Sequence, residues 1–205
     1  MLLYSITNSL MNSITYILTS EGADYCVLID CGYSDELIPA IEKIGKSVKA
    51  VFLTHAHYDH IYGLNMLYGQ YPDALVYTNE EGREALTDPK KNFSKYHPDI
   101  VPFVYEHPEN VRLMEDGEVE LFDGEKMQVL FTPGHDVSCF CFMMSNNLFT
   151  GDAYIPGIKT VMTFPRSNRK DALVSQERLK VLEREGYIVR PGHDISQIKT
   201  YDNQF

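Results

Sequence analysis

The chain reads Thr-His-Ala-His-Tyr-Asp-His over residues 54–60, directly after a short apolar run. Three imidazoles and one carboxylate therefore follow a segment that has the character of a buried strand. Imidazole and carboxylate are the ligands that suit Zn²⁺ and its first-row neighbours. In an extended loop His55 and His57 point the same way, which leaves Asp59 and His60 for a second ion. The segment thus predicts a metal site.

Three further motifs place candidate ligands just past the end of an apolar, strand-like segment. They are Gly-His at 134–135, Gly-Asp at 151–152 and Gly-His at 192–193, each in a turn marked by Gly or Pro. Catalytic groups concentrate on loops that a rigid scaffold holds in place. The candidate metal ligands are therefore His55, His57, Asp59, His60, His135, Asp152 and His193.

Apolar periodicity divides the chain into strands and helices. The strands fall in two halves, each ending with helices, which indicates an α/β fold of two packed sheets with helices outside. Strands are predicted near 14–19, 25–30, 49–53, 74–78, 119–122, 127–132, 138–144, 147–150 and 186–190, and helices near 34–45, 59–69, 80–86 and 169–185.

Length and composition favour one globular domain over residues 1–205. The chain has 205 residues, 44% of them hydrophobic, and no linker rich in Pro, Gly or Ser divides it. Polar residues interrupt the apolar character of residues 1–20, so neither a signal peptide nor a membrane-spanning helix is predicted.

Charge and cysteine content narrow the class of protein further. The formal net charge of −11 opposes binding to nucleic acid, and no cluster of Lys or Arg offsets it. The four cysteines form no zinc-binding pattern, and a chain of this size does not need disulfides. We expect a reducing, cytoplasmic setting, with Cys139 and Cys141 as small core residues on one face of a strand.

The order of motifs, His-x-His-x-Asp-His, Gly-His, Gly-Asp and Gly-His, resembles that of the metallo-β-lactamase fold superfamily over nearly the whole chain. Residues 12–18 and 26–32 add to the resemblance, because they are similar to the family's opening hairpin and its early Asp-x-Gly turn. The resemblance implies a four-layer αβ/βα sandwich with the metal ligands at one edge.

The resemblance also implies how the ligands divide between two ions. His55, His57 and His135 would hold the first ion, Asp59, His60 and His193 the second, and Asp152 would bridge them. Two Zn²⁺ ions are expected, although the same ligands accept iron or manganese. Coordination to such ions lowers the pKa of water to about 7 and supplies a nucleophile at neutral pH. Asp59 is also the candidate for proton handling, with a purely structural ligand role as the alternative.

The aspartate at position 152 indicates which group of enzymes within the family this chain resembles. The β-lactamases of the family usually have Cys or Ser near this point, whereas glyoxalase II-like thioesterases and lactonases have the bridging carboxylate. Oxygen-reducing diiron members usually have Glu where Ala56 stands. We therefore predict a hydrolase of a small ester, thioester or lactone. Residues 194–205 are too few for the helical domain with which full-length glyoxalase II grips glutathione, so that specificity is not expected.

Substrate contacts are expected from loops around the metals. The long connection over residues 87–112 borders the cleft or is a solvated surface loop. Tyr62 stands where the family motif usually has glycine, and it either contacts substrate or packs within its helix. Tyr154, Lys159 and Arg166 gather after the bridging carboxylate. Lys159 or Arg166 is predicted to bind an anionic group of a small-molecule substrate, with a solvated surface charge as the alternative.

Carboxylates next to the ligands are candidates for orienting the imidazoles. Asp136 and Asp194 follow Gly-His turns where the family more usually has Thr, Ser or Gly, and each either orients a ligand or caps a turn. Asp30, in the early Asp-x-Gly turn, is the third candidate. His97 and His107 are expected to be bystanders.

Two other functions stay open from the sequence. One is an iron-dependent oxygenase resembling the persulfide dioxygenases, in which two His and one Asp of the same motifs hold a single iron, since these ligands accept iron as well as zinc. The other is a non-catalytic domain of the same fold that binds a ligand or partner; the complete ligand set argues against it. The sequence leaves the oligomeric state open.

Overall fold

Two β-sheets pack face to face in the computed structural model of the chain, which describes residues 1–122 and 124–196. The strands of the first sheet lie side by side in chain order and are β1 (Leu2–Thr7), β2 (Ile14–Thr19), β3 (Tyr25–Ile29), β4 (Ser47–Phe52), β5 (Leu75–Thr78) and β6 (Val111–Leu113). The strands from β1 to β3 pair antiparallel and those from β3 to β6 pair parallel.

The second sheet is formed by the later part of the chain. Its strands are β7 (Gly117–Phe122), β8 (Glu125–Phe131), β9 (Phe140–Met144), β10 (Asn147–Gly151) and β11 (Ile188–Pro191), with the spatial order β11-β10-β9-β8-β7. Only the β10–β11 pair is parallel among these described strands. Parallel pairing there requires a crossover connection, which a long helix provides.

The helices lie between these strands in the chain. They are α1 (Leu37–Ile44), α2 (Tyr58–Ile61), α3 (Leu64–Gln70), α4 (Glu80–Thr87) and α5 (Arg169–Arg184), and 3₁₀ turns occur at Ser94–Tyr96 and Pro108–Asn110. The side chain of Asn168 accepts hydrogen bonds from the backbone N–H groups of Lys170 and Asp171, which caps the start of α5. This helix lies where one was predicted, near 169–185.

Successive side chains of a strand point to opposite faces of its sheet, so the buried side chains form three separate clusters. In β2, Ile17 packs among side chains of α1 to α4, whereas Leu18 packs among side chains of the second sheet. In β10, Leu148 packs with Leu179 of α5, whereas Phe149 faces the first sheet. The order of layers is therefore helices, sheet, sheet, helix, and the predicted four-layer αβ/βα sandwich is confirmed.

Three elements differ from the sequence prediction. Strand β6 (Val111–Leu113) forms where no strand was predicted, by pairing along the edge of the first sheet with β5. Strand β1 was not predicted, because its side chains are mostly exposed and it is ordered by pairing with β2 along a sheet edge. The single helix predicted near 59–69 is divided into α2 and α3. At the division Gly63 donates its N–H to Cys31 O at 2.9 Å, and a side chain on Gly63 would overlap Gly32 O. The helix is interrupted because the turn after β3 docks against its backbone.

Among the described residues, no helix combines the length and the apolar character that crossing a membrane requires. The cysteines are buried and are not joined in disulfides. Cys141 packs in the cluster beneath α5, and Cys139 is also buried, in agreement with their predicted place in the core.

Candidate metal centre

Strand ends of both sheets deliver the candidate ligands to one edge of the sandwich. The segment after β4 carries His55 and His57, and α2 continues it with Asp59 and His60. The turns after β8, β10 and β11 carry the remaining three ligand candidates. Potential ligand atoms lie within 4.8 Å of one another in three overlapping groups: His55 with His57 and His135, His55 with His60 and Asp152, and Asp59 with His60 and His193. The structure thus brings all seven predicted ligands together.

In the first group, hydrogen bonds fix which imidazole nitrogen faces the site. His135 Nδ1 lies 2.9 Å from the carbonyl oxygen of Val161, which can only accept, so Nδ1 carries the proton and Nε2 presents a lone pair. His57 turns Nε2 toward Asp136, which is 3.6 Å away and beyond hydrogen-bond distance, and turns Nδ1 toward His135 Nε2. These two nitrogens lie 3.1 Å apart. A metal ion suits the point where two such nitrogens converge.

The second group repeats this arrangement. His193 Nδ1 donates to the carbonyl oxygen of Met11 at 2.9 Å, and His60 Nδ1 donates to Asp30 at 2.8 Å. The Nε2 atoms of His60 and His193 then face each other at 3.2 Å. Asp59 Oδ2 lies 3.3 Å from His193 Nε2 and 3.5 Å from His60 Nε2. Two lone pairs and a carboxylate around one point suit a divalent cation.

Asp152 lies between the two groups. Its Oδ2 is 3.6 Å from His135 Nε2 and 3.2 Å from His193 Nε2, and its Oδ1 is 3.6 Å from His60 Nε2. Both Asp152 Oδ1 and His55 Nε2 are buried without a hydrogen-bond partner among the described residues. Buried polar atoms of native proteins are otherwise satisfied, so these orphaned atoms fit metal coordination.

Burial and charge make the site attractive to cations. Burial, followed by the neighbouring imidazoles, holds the pKa of His55 well below its usual range, and burial also lowers the pKa of His135. Burial opposes protonation of His60 as well, but the carboxylates of Asp59 and Asp30 outweigh it and raise its pKa to about 10. The lowered pKa values keep His55 and His135 neutral and able to bind a metal, whereas the carboxylates beside His60 favour positive charge at that position, as a bound cation would supply.

Gly192 keeps space open beside the ligands. It donates its N–H to Gly151 O at 2.9 Å, and a Cβ built on Gly192 would overlap Asp152 Oδ1 and come within 2.9 Å of His60 Cε1. A side chain at this position would push against two ligand candidates, Asp152 after β10 and His60 in α2.

We expect Gly192→Ala to lower metal affinity by about 10- to 100-fold, because the added methyl group displaces Asp152 and His60 from their coordinating positions. Competition with a chelator measures the affinity. Gly69→Ala is the matched control, since a Cβ at Gly69 meets no atom within 4 Å and metal affinity should not change. Equal affinities in the two variants would contradict the role of Gly192.

Arg166 pairs with Asp136, and this contact does not favour the predicted role of Arg166 in binding substrate. Arg166 Nε donates to Asp136 Oδ2 at 2.8 Å, and Nη2 donates to Oδ1 at 3.1 Å. Ser138 donates to Oδ1 from its backbone N–H at 2.8 Å and from its hydroxyl at 2.6 Å. Burial opposes the charge on Asp136, yet His57 and Arg166 hold its pKa below the usual range. The guanidinium therefore supports the carboxylate that faces His57.

We expect Arg166→Ala to lower the free energy of unfolding by about 3 kcal/mol, because it leaves the charge of Asp136 buried with fewer partners. Urea denaturation measures this change. Arg184→Ala removes an exposed ion pair with Glu177 and should cost less than about 1 kcal/mol. A selective rise in KM for anionic substrates, with unchanged stability, would instead restore the substrate-binding role of Arg166.

The other residues predicted to bind substrate, Tyr62, Tyr154 and Lys159, are not among the residues that line the cleft. Tyr62 donates its hydroxyl to Val101 O at 2.9 Å. Tyr154 donates its hydroxyl to Glu183 in α5 at 2.7 Å. Lys159 is exposed and does not border the metal ligands.

Of the three carboxylates considered for orienting ligands, two face an imidazole. Asp30 is hydrogen-bonded to His60, and Asp136 faces His57. Asp194 instead accepts a hydrogen bond from Ser196 N at 2.9 Å, which is a turn contact. The alternative role of Asp194 as a turn residue is therefore the one that its contacts match.

A cleft of about 490 Å³ opens above the ligands. Its floor consists of ligand candidates, and its walls include Met11, Phe93, Tyr96, His97, Val161 and Phe164. The connection at 87–112 was a predicted border of the cleft, but Phe93 and Phe164 were not predicted individually. His97 belongs to none of the ligand groups among the described residues, and its Nε2 lies 2.8 Å from the hydroxyl of Tyr58 beside the cleft. The density of aromatic residues at 93–97 was the signal available in the sequence.

Comparisons with known proteins agree with this geometry. The family model described as Metallo-beta-lactamase superfamily matches residues 10–193. A probable metallo-hydrolase of Streptococcus pyogenes serotype M6 is 30% identical over 198 residues, which cover 94% of this chain and 84% of that protein.

Solved structures share the fold. The BLEG-1 B3 metallo-beta-lactamase has a TM-score of 0.84 at 22% identity, with 94% of this chain and 92% of that chain covered. TTHA1623 in a di-iron-bound form has a TM-score of 0.77 at 26% identity, with 93% and 92% covered. With its converging His and Asp ligands, this chain belongs to the metallo-beta-lactamase superfamily and is a metallo-hydrolase with a cluster suited to divalent metals.

Proposed function

We propose that the protein is a dinuclear zinc hydrolase that cleaves a small ester, thioester or lactone. The observation that supports the proposal is the convergence of two imidazole nitrogens in each ligand group, 3.1 Å apart in one and 3.2 Å apart in the other. A divalent cation suits each pair, and Asp152 lies between the two pairs. Two ions that share a carboxylate are typical of metal-assisted hydrolysis.

In this proposal the side chains divide between two neighbouring positions. His55, His57 and His135 would hold one ion, Asp59, His60 and His193 would hold the other, and Asp152 would serve both. Divalent ions held in this way lower the pKa of water to about 7 and act as Lewis acids toward a carbonyl oxygen. The carbonyl oxygens of Met11 and Val161 keep His193 and His135 in the tautomer that binds metal.

Water is the nucleophile that the cleft favours. None of the described residues that border the cleft is Ser, Thr, Cys or Lys, so no hydroxyl, thiol or amine nucleophile of these types faces the substrate there. Asp59 borders the cleft and contacts the second ligand group. We propose Asp59 as a ligand that also accepts a proton during hydrolysis.

The identity of the metal is a separate question, because imidazole and carboxylate also bind iron. TTHA1623, at 26% identity, was crystallised in a di-iron-bound form. Iron therefore stays the alternative to zinc for this chain.

Metal content and turnover test the proposal together. The chain is expressed without metal supplementation, purified without a metal-binding tag and assayed by inductively coupled plasma mass spectrometry. We expect about two zinc ions per chain and hydrolysis of at least one member of a panel of esters, thioesters and lactones.

Other results would redirect the assignment. Two iron ions with the same hydrolysis would change only the metal. One iron per chain, with oxygen uptake on a persulfide substrate, would favour the oxygenase alternative. A fully metallated protein that hydrolyses no substrate of the panel would overturn the proposal and favour a non-catalytic domain.

A further inference from the structure

Two aromatic rings form a wall directly beside the ligands. Phe93 precedes a 3₁₀ turn that follows α4, and Phe164 lies in the segment before α5, yet their ring centroids are 5.1 Å apart. The ring of His57 lies 4.9 Å from Phe93 and 5.6 Å from Phe164, and His135 lies 6.0 Å from Phe164. A group attached to the reacting carbonyl would therefore contact these rings first.

The backbone at Phe93 is held in an unfavourable conformation. Its φ is +66°, in the left-handed region that bulky residues rarely adopt. Asn92 fixes the turn through its side chain and its backbone. Its side-chain Nδ2 donates to Ala85 O at 2.9 Å and to Phe103 O at 3.1 Å. Its backbone carbonyl accepts from Tyr58 N at 2.9 Å. A strained backbone conformation persists where surrounding contacts hold it in place, and such conformations concentrate at binding sites. Here it turns a phenyl ring toward the cleft.

The wall continues outward as exposed apolar surface. Met11 is 61% exposed, Tyr96 65% and Val161 45%, and all three border the same cleft. Large apolar side chains that cluster at a concave surface mark ligand-binding grooves. A ligand that extends from the metals therefore meets apolar surface as far as the rim.

The cleft offers no fixed cation to a charged substrate. None of the described residues that border it is Lys or Arg, and the guanidinium of Arg166 is bound to Asp136. The chain as a whole carries a formal net charge of −11. A carboxylate at the far end of a substrate would lose hydration without gaining a partner.

We propose that the substrate carries an uncharged apolar group, aliphatic or aromatic, which packs between Phe93 and Phe164 while its carbonyl lies over the metal ligands. This inference rests on the proposed hydrolase function and names its substrate class. It replaces the sequence-based prediction of an anionic substrate.

A series of 4-nitrophenyl esters tests the proposal with the metal-loaded protein. Acetate, butyrate and hexanoate esters vary the apolar group, and the adipate monoester adds a terminal carboxylate to a chain of matched length. Each methylene buried against the wall is expected to raise kcat/KM by up to about 4-fold, so hexanoate should exceed acetate by at least about 10-fold. The adipate monoester should fall below hexanoate by at least about 10-fold.

Variants of the two wall residues test whether they cause the preference for the longer ester. Phe93→Ala and Phe164→Ala should each lower the ratio of hexanoate to acetate kcat/KM by at least about 3-fold, with metal content unchanged. Phe131→Ala is the matched control, because Phe131 is 37% exposed, close to the 39% of Phe164, but lies on β8 away from the cleft. The ratio in this control should equal that of the unmodified protein.

A neutral fluorescent probe separates failure of this inference from failure of the hydrolase function. N-phenyl-1-naphthylamine should bind the metal-loaded protein, and Phe93→Ala should weaken that binding. If no ester is hydrolysed but this binding is seen, the hydrolase function fails and the apolar cleft stands. If esters are hydrolysed with equal kcat/KM, or the adipate monoester is preferred, the inference fails and the hydrolase function stands. Absence of both hydrolysis and probe binding would overturn both.

Discussion

Asp152→Ala is expected to lower kcat by at least about 10³-fold, which corresponds to the several kcal/mol that a metal pair contributes to transition-state stabilisation. Asp152 is the only carboxylate within 3.6 Å of imidazoles from both ligand groups in the described part of the chain. Its removal leaves a neutral gap between two positions that each require a divalent ion. The ions would then repel each other without a shared anion, and the metal content should fall from about two to about one per chain.

Mass spectrometry of the metal and steady-state kinetics on the best ester measure the two effects in one preparation. Asp73→Ala removes an exposed carboxylate in the turn before β5 and should leave metal content and kcat unchanged. Retention of two ions with kcat within tenfold of the unmodified protein would show that Asp152 does not bridge them.

Asp30→Ala is expected to lower the free energy of unfolding by about 3–5 kcal/mol, because it leaves three buried donors without an acceptor. Asp30 accepts from Thr54 N at 2.7 Å, Thr54 Oγ1 at 2.7 Å and His60 Nδ1 at 2.8 Å. Since Thr54 Oγ1 donates to Asp30, it accepts from His55 Nδ1 at 3.1 Å. One carboxylate thus orients two ligand imidazoles, and its loss should weaken metal binding by about 10- to 100-fold.

Urea denaturation of the metal-free protein isolates the hydrogen-bond effect from the contribution of metal binding to stability. Asp35→Ala is the control, because Asp35 is exposed and accepts only a surface hydrogen bond from Tyr33. We expect a change below about 0.5 kcal/mol for that variant. A change below about 1 kcal/mol for Asp30→Ala, with unchanged metal affinity, would contradict the proposed network.

The ligands could be predicted from the sequence because each one follows an apolar segment at a strand end. His135 and His193 are far apart in the chain but lie at the same edge of one sheet, since β8 and β11 both end there. Alternation along the strands likewise predicts which side chains form the core, and the sandwich follows from burying both faces of each sheet. The division between α2 and α3 was not predictable, because the contact of Gly63 with Cys31 depends on tertiary packing.

The substrate-contacting residues were harder to predict, because exposure and pairing are properties of the folded chain. In the sequence, Arg166 is a free cation near the metals, but folding brings it against Asp136. Tyr62 follows the ligands in the chain, yet its hydroxyl points to Val101 outside the cleft. Phe93 and Phe164 carry no motif and meet only because two loops converge.

The amino-acid sequence by itself determined the α/β class and the candidate metal ligands, because periodic burial and ligand chemistry are local properties that a pattern of residues expresses directly, and the resemblance of its motif order to a known family implied the sandwich. Only the tertiary structure decided which nitrogen each imidazole presents, which carboxylates orient the imidazoles, and which side chains line the cleft. Those features depend on hydrogen bonds and ring contacts between segments distant in the chain, such as His193 with Met11 and His60 with Asp30. Their geometry is set by packing, and no single segment contains it.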